Sequence, residues 1–350
     1  MRSFVLSVPI AWRRAAWAAS LTVVGGLAQA DVGLTSIAGT DTDGPVTLYY
    51  PTKATATPIT RGPFTLLLAE QAVPERGNGH LVVISHGSGG APWVHVDLAR
   101  SLVEAGFVVA MPQHFADNNK DGSNPGPNSW AIRPQEVSRA IDAVGRDARF
   151  APLLSLHDVG VYGMSAGGHT ALSMAGGRWS AAGFKDHCEA NLVNDFQACV
   201  GLITQLTGGF LDGIKKWAAL IVIRNRFADT TILSHHDPRV AAVVAGVPAA
   251  ADFDMASLAR PAVPVGLVTA QQDRWLNPRF HSDRVLEACT TCEHLADLPN
   301  GGHGALLSPL PPGLSGLVGD MLNDPPGFDR SQMHSVDQKI TAFFVRNLVR

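Results

Sequence analysis

"VGVYGMSAGGHTAL", residues 159–172, decides how the rest of the chain is read. An apolar run, "VGVYG" (159–163), stops at a serine set between two glycines, and "GGHTALSMAG" (167–176) then takes up helical spacing. Gly163 and Gly167 lack the Cβ atoms that would crowd a sharp turn from strand to helix, so Ser165 reads as the exposed tip of a nucleophile elbow. A serine hydroxyl attacks poorly until a base takes its proton. The reading therefore demands a histidine and an orienting acid further along the chain.

On either side of this turn the chain alternates strands and helices. Upstream, "VTLYY" (46–50), "FTLLLA" (64–69), "LVVIS" (81–85) and "FVVAM" (107–111) read as strands, with helices expected over 94–106 and 134–147. Downstream, "VAAVVAGV" (240–247) and "VPVGLVTA" (263–270) are buried strands. "RFHSDRVLEAC" (279–289) is a helix, "EHLADLP" (293–299) completes the core, and "VDQKITAFFVRNLV" (336–349) is the closing helix. This rhythm predicts an α/β protein with a mostly parallel central sheet covered by helices on both faces. Ligands of such sheets sit beyond the carboxyl ends of the strands. Residues 177–236 break the rhythm and read as a helical cap inserted over that edge, within one catalytic domain spanning 31–350. Trp179, Phe210 and Trp217 are its candidate substrate-facing aromatics.

With 350 residues, 46% of them hydrophobic and 16% charged, the chain has a large core and is neither disordered nor built to wrap nucleic acid. Residues 1–30 carry Arg2, Arg13 and Arg14, an apolar stretch at 15–27, and "AQA" before Asp31, the pattern of a cleaved export signal. The apolar run is shorter than the roughly 20 residues a bilayer span requires, so no lasting membrane anchor is expected. Losing the leader takes the formal net charge from −3 to −6, which leaves no electrostatic footprint for DNA. Four cysteines in an exported chain favour disulfides, paired as Cys188 with Cys199 and Cys289 with Cys292. A periplasmic or secreted location follows. The C-T-T-C spacing also occurs in redox sites, but no thioredoxin-like pattern surrounds it here.

Among thirteen histidines, His303 stands apart in the glycine-rich "NGGHGALL" (300–307), where a side chain can swing over the sheet edge. Asp273 lies just past "VPVGLVTAQQ", giving the order Ser165, Asp273, His303. Asp252 and Asp254 are the rival acids, expected instead to cap a short turn. The oxyanion that forms on attack needs backbone donors; Ala166 at the helix start and Ser88 in "SHGSGG" (85–90) are the candidates. His235, His236 and Asp237 are the one metal-like run. Consecutive positions converge poorly on one ion, so neither metal nor organic cofactor is expected.

At "VVISHGSGG", "GVYGMSAGGHTAL", "VTAQQDRWLNP" and "NGGHGALLSP" the chain resembles the α/β-hydrolase superfamily, from about Val46 to the last helix. Within it, the chain is similar to the exported bacterial dienelactone-hydrolase-like group, related to the platelet-activating-factor acetylhydrolases. Dienelactone hydrolases carry a cysteine where Ser165 stands, and the acetylhydrolases place their acid after the preceding strand, here "AGVPAAADFD" (245–254). The resemblance implies a serine hydrolase acting on a small ester or lipid-like substrate. A thioesterase, amidase or acyltransferase would use the same triad, and a non-catalytic binding protein could keep the fold.

Overall fold

The computed structural model describes residues 31–349, so the expected leader over 1–30 lies outside the described residues. Four strands come first: β1 (Asp31–Ile37), β2 (Val46–Thr52), β3 (Thr57–Arg61) and β4 (Phe64–Glu70). Then follow β5 (Leu81–Ser85), α1 (Val96–Glu104), β6 (Val108–Pro112), α2 (Pro127–Arg146), β7 (Val159–Met164) and α3 (Ala166–Met174). Residues 177–236 hold β8 (Arg178–Trp179), α4 (Ala181–Asn191), α5 (Phe196–Val200) and α6 (Asp212–Arg226). The chain closes with β9 (Val240–Gly246), β10 (Phe253–Asp254), α7 (Met255–Leu258), β11 (Val265–Ala270), α8 (Ser282–Ala288), β12 (Glu293–Leu298), α9 (Gly316–Leu322) and α10 (Met333–Leu348).

Ten strands form one sheet in the order β12-β11-β9-β7-β5-β6-β2-β1-β4-β3. The neighbours from β6 to β12 all pair in parallel, and β2 joins β6 antiparallel. Every residue of β5, β7 and β11 is buried, which explains why they read as unbroken apolar runs: a parallel strand with helices on both faces has no polar side. Side chains alternate between two cores. Leu81 and Val83 face the α2 and α3 layer with Val137, Ile141 and Leu172, whereas Val82 and Ile84 face α1 and α10 with Leu102, Ile340 and Phe344.

For three elements the difference from the sequence expectation has a plain physical cause. Helix α2 starts at Pro127 rather than 134, because Pro127 supplies the favoured first-turn proline and the chain then continues helical through Pro134. Strand β3 is mostly exposed and polar, so it carries no apolar signature. Strand β1 pairs with β2 along its full length, and at Gly33 a Cβ would lie 2.3 Å from the Tyr50 ring, so glycine interrupts the apolar alternation there. Both expected disulfides are present: Cys188–Cys199 joins α4 to α5, and Cys289–Cys292 closes the turn between α8 and β12. Among the described residues, no helix is long and apolar enough to cross a membrane.

Candidate active site

Ser165 sits at the carboxyl end of β7 with φ +58° and ψ −118°, a conformation that a side-chain-bearing residue adopts only when its surroundings impose it. The surroundings do so from both sides. Its N–H donates to the Gly246 carbonyl of β9 (3.0 Å), and its carbonyl accepts from the N–H groups of His169 (3.0 Å) and Ala249 (3.1 Å). A Cβ on Gly163 would fall 1.9 Å from the Gly167 carbonyl oxygen, and one on Gly167 would fall 1.9 Å from that of Ser85. Glycine is therefore required at both positions for the turn to close.

Asp273 and His303 follow β11 and β12, two strands that lie beyond β9 on the same side of β7. The structure brings all three side chains together. His303 Nε2 is 3.0 Å from Ser165 Oγ, and His303 Nδ1 is 2.7 Å from Asp273 Oδ2. Asp273 Oδ1 accepts from the backbone N–H groups of Trp275 (2.8 Å) and Leu276 (2.9 Å), which fixes the carboxylate's orientation. With Nδ1–H donating to Asp273, the Nε2 lone pair is left facing the serine hydroxyl. His303 and Asp273 are both buried, and Ser165 is partly open to solvent.

The loop carrying Ser88 is exposed and passes beside the elbow: a Cβ on Gly87 would lie 3.4 Å from that of Ser165. A buried ion pair, invisible in the sequence, holds it. Asp117 Oδ1 accepts from Ser88 Oγ (2.5 Å) and from the Gly89 N–H (3.1 Å), while Oδ2 accepts from Ser129 Oγ (2.7 Å) and Arg133 Nη2 (2.8 Å). Arg133 Nη1 also donates to the His86 carbonyl (2.5 Å). Burial opposes ionisation of Asp117. The Arg133 guanidinium and the two serine hydroxyls outweigh it and hold the carboxyl below its ordinary range. On the other side of the site Arg330 donates to the carbonyls of Gly304 (3.0 Å) and Leu307 (2.6 Å), bracing the loop of His303. Ala166 opens α3, with no side chain capping that end.

The rival acids lie elsewhere. Asp254 caps α7 by accepting from the Ala256 N–H (3.1 Å), as expected, and pairs with Arg178 at the surface. Asp252 does not cap that turn; it is buried and accepts from His169 Nε2 (3.1 Å), a partner in α3 that only the folded chain supplies. His235 bonds Ser138 Oγ (2.9 Å) and Asp237 pairs with Arg239, so the "HHD" run does not converge. Of the three aromatics in residues 177–236, Trp179 is buried and packs edge-on against Trp130 and His169. Phe210, in the turn before α6, and Trp217, on α6, instead stand 92% and 66% exposed; α6 buries only Ile223.

One buried cluster spans the junction between α4, α5 and the loop that follows Asp273. Asp195 Oδ2 accepts from His187 Nε2 (2.8 Å) and His281 Nε2 (2.9 Å). These three side chains have the composition of a cation site. The hydrogen bonds assign another role: His281 Nδ1 accepts from the Ala250 N–H (2.9 Å), so the proton sits on Nε2 and no lone pair is left there for a metal. Burial opposes ionisation of Asp195, but the two imidazole donors outweigh it and hold the carboxyl at about 2, against an ordinary value of 3.8. A carboxyl lowered in the folded state contributes stability above its unfolded pKa and loses it as pH falls through the folded value. Wild type should therefore lose about 2 kcal/mol relative to Asp195→Asn between about pH 4 and pH 2 in denaturant unfolding. A stability difference independent of pH across that window would contradict the assignment.

No protein-family model matches the chain, and no curated protein matches it. Among solved structures, the chain is similar to the ferulic acid esterase from Streptomyces cinnamoneus, with a TM-score of 0.58 and 16% sequence identity over 93% of this chain and 92% of that one. At that identity the likeness speaks for the fold, a mostly parallel sheet with surrounding helices, of the α/β-hydrolase type.

Proposed function

We propose that this chain of α/β-hydrolase fold is a serine hydrolase of carboxylic esters. The observation that carries the reading is the hydrogen-bonded series Ser165, His303, Asp273 at the carboxyl edge of the sheet. In this reading His303 Nε2 takes the Ser165 proton as Oγ attacks the ester carbonyl carbon, and the N–H groups of Ala166 and Ser88 receive the oxyanion. The imidazolium, stabilised by Asp273, then protonates the leaving alcohol. Water, deprotonated by the same imidazole, releases the acid from Ser165 and restores the hydroxyl.

Within the superfamily we assign the chain to the exported dienelactone-hydrolase-like group near the platelet-activating-factor acetylhydrolases, with its acid one strand later than theirs. Two disulfides fit an oxidising compartment, and we propose that the mature chain starts at Asp31 in the periplasm or outside the cell. A panel of chromogenic esters with matching thioesters and anilides tests the reading. Turnover is expected on esters, faster than on the anilides, because the alkoxide is the better leaving group. Absence of turnover on every ester by the folded protein would overturn it in favour of a binding role.

A further inference from the structure

We propose that helix α6 and the turn before it form a docking face for an anionic phospholipid surface. A helix on a globular protein ordinarily turns its apolar residues inward and its polar ones to water. Helix α6 is apolar on both sides. Leu220 and Ile223, with Phe227 at its end, pack on the layer of α4 and α5, where the Phe227 ring meets Phe184 edge-on at 5.2 Å. On the outer side Ile214, Trp217, Ala218, Ile221 and Val222 recur at i, i+3, i+4, i+7 and i+8, one continuous stripe, and all five are exposed. The turn leading into the helix adds Ile203, 84% exposed, and Phe210. This turn is tied to the helix, because Asp212 accepts from the Thr207 and Gly208 N–H groups and Lys215 Nζ donates to the Gln205 carbonyl (2.7 Å). A contiguous apolar stripe turned to water marks an interaction surface.

Charge selects what covers it. Residues 196–228 contain four bases, Lys215, Lys216, Arg224 and Arg226, and a single acid, Asp212. This local net charge of +3 stands in a chain that carries −6 without the expected leader, so the rest of the protein holds −9. At about 100° per residue, Arg224, which pairs with Glu189, falls along one border of the stripe, and Lys215 and Arg226 fall along the other. Two copies packed through this face would bring like charges together. An anionic lipid surface instead attracts the border cations, takes the stripe into its apolar region and leaves the acidic remainder in water. Trp217 carries the ring type that concentrates at headgroup depth. With 15 residues α6 is too short to span a bilayer, so it lies along the surface. The Cys188–Cys199 bridge joins α4 to α5 beneath it, which braces the support on which the face rests.

Vesicle co-sedimentation of the mature chain tests the proposal, in a Ser165→Ala background so that no lipid is hydrolysed during the assay. The measurement reads binding alone and is therefore independent of the esterase reading. Vesicles of phosphatidylglycerol and phosphatidylcholine in equal parts are compared with phosphatidylcholine alone. Binding to the mixed vesicles at low salt is expected to be tighter by about tenfold or more, and to weaken as salt rises. Phe210→Ser/Trp217→Ser should weaken it by about twentyfold, the loss of two large side chains from the apolar region. Arg224→Gln/Arg226→Gln should weaken it on mixed vesicles by about twentyfold and leave binding to neutral ones unchanged. Thermal unfolding of each variant is compared with the background; if the aromatic variant does not fold, Ile214→Ser/Ile221→Ser takes its place with the same expectation. Absence of binding to mixed vesicles would overturn the proposal. Binding that survives the apolar substitutions would place the contact elsewhere and overturn it too. A dimer in sedimentation velocity that Phe210→Ser/Trp217→Ser abolishes, without vesicle binding, would give the face to a second copy instead.

Discussion

Ser165→Ala is expected to keep the fold and to lose ester hydrolysis by about a million-fold in kcat, the scale seen when the serine of such a triad is removed. The substitution deletes one oxygen and nothing that holds the elbow. The bonds that fix the turn run through the Ser165 backbone, to Gly246, His169 and Ala249, and alanine makes all of them. The positive φ, already borne by a residue with a Cβ, costs alanine no more than serine. Thermal unfolding within a few degrees of wild type, together with kcat at background, is the expected pair of results. Appreciable turnover by the folded variant would remove Ser165 from the mechanism.

Asp273→Asn should lower kcat by about ten-thousand-fold, through the tautomer of His303 rather than through loss of structure. Trp275 and Leu276 both donate to Oδ1, so an asparagine turns its carbonyl oxygen to them and its NH₂ toward His303. The imidazole then accepts at Nδ1 and carries its proton on Nε2, where it cannot take one from Ser165. Asp254→Asn is the control at the surface, since asparagine caps a helix as well as aspartate does, and its kcat should match wild type. Asp252→Asn weakens a buried bond to His169 and should cost stability, with kcat changed by a few-fold at most. A collapse of kcat in either of these, with Asp273→Asn nearly unaffected, would move the acid to the loop after β9.

The parts of the site that could be read from the sequence are those whose cause is local. A strand, a serine between glycines and a helix sit side by side in residues 159–176, and the glycine requirement at 163 and 167 is a property of that turn alone. Asp273 was readable because it follows the apolar run of β11, and His303 because it stands in a glycine-rich loop after the last strand. What supports them was not readable, because each brace joins segments far apart in the chain. Asp117 gains meaning only when Arg133 and Ser88 are folded against it, Arg330 only when the His303 loop lies beneath it, and Asp195 only when His187 and His281 converge. The aromatics of residues 177–236 show how little composition says about burial. Trp217 stands exposed on α6 and Phe210 in the turn before it, whereas Trp179 is buried against Trp130 and His169.

The most direct test of the central claim is covalent capture of the nucleophile. The protein is treated with a fluorophosphonate, which reacts with an activated serine and imitates the tetrahedral adduct, and the modified residue is mapped by peptide mass spectrometry. The account predicts one adduct per chain, on Ser165 and no other residue, accompanied by loss of ester hydrolysis and absent from Ser165→Ala. A protein that hydrolyses esters but stays unlabelled at Ser165, or one labelled at a different serine as activity disappears, would contradict it.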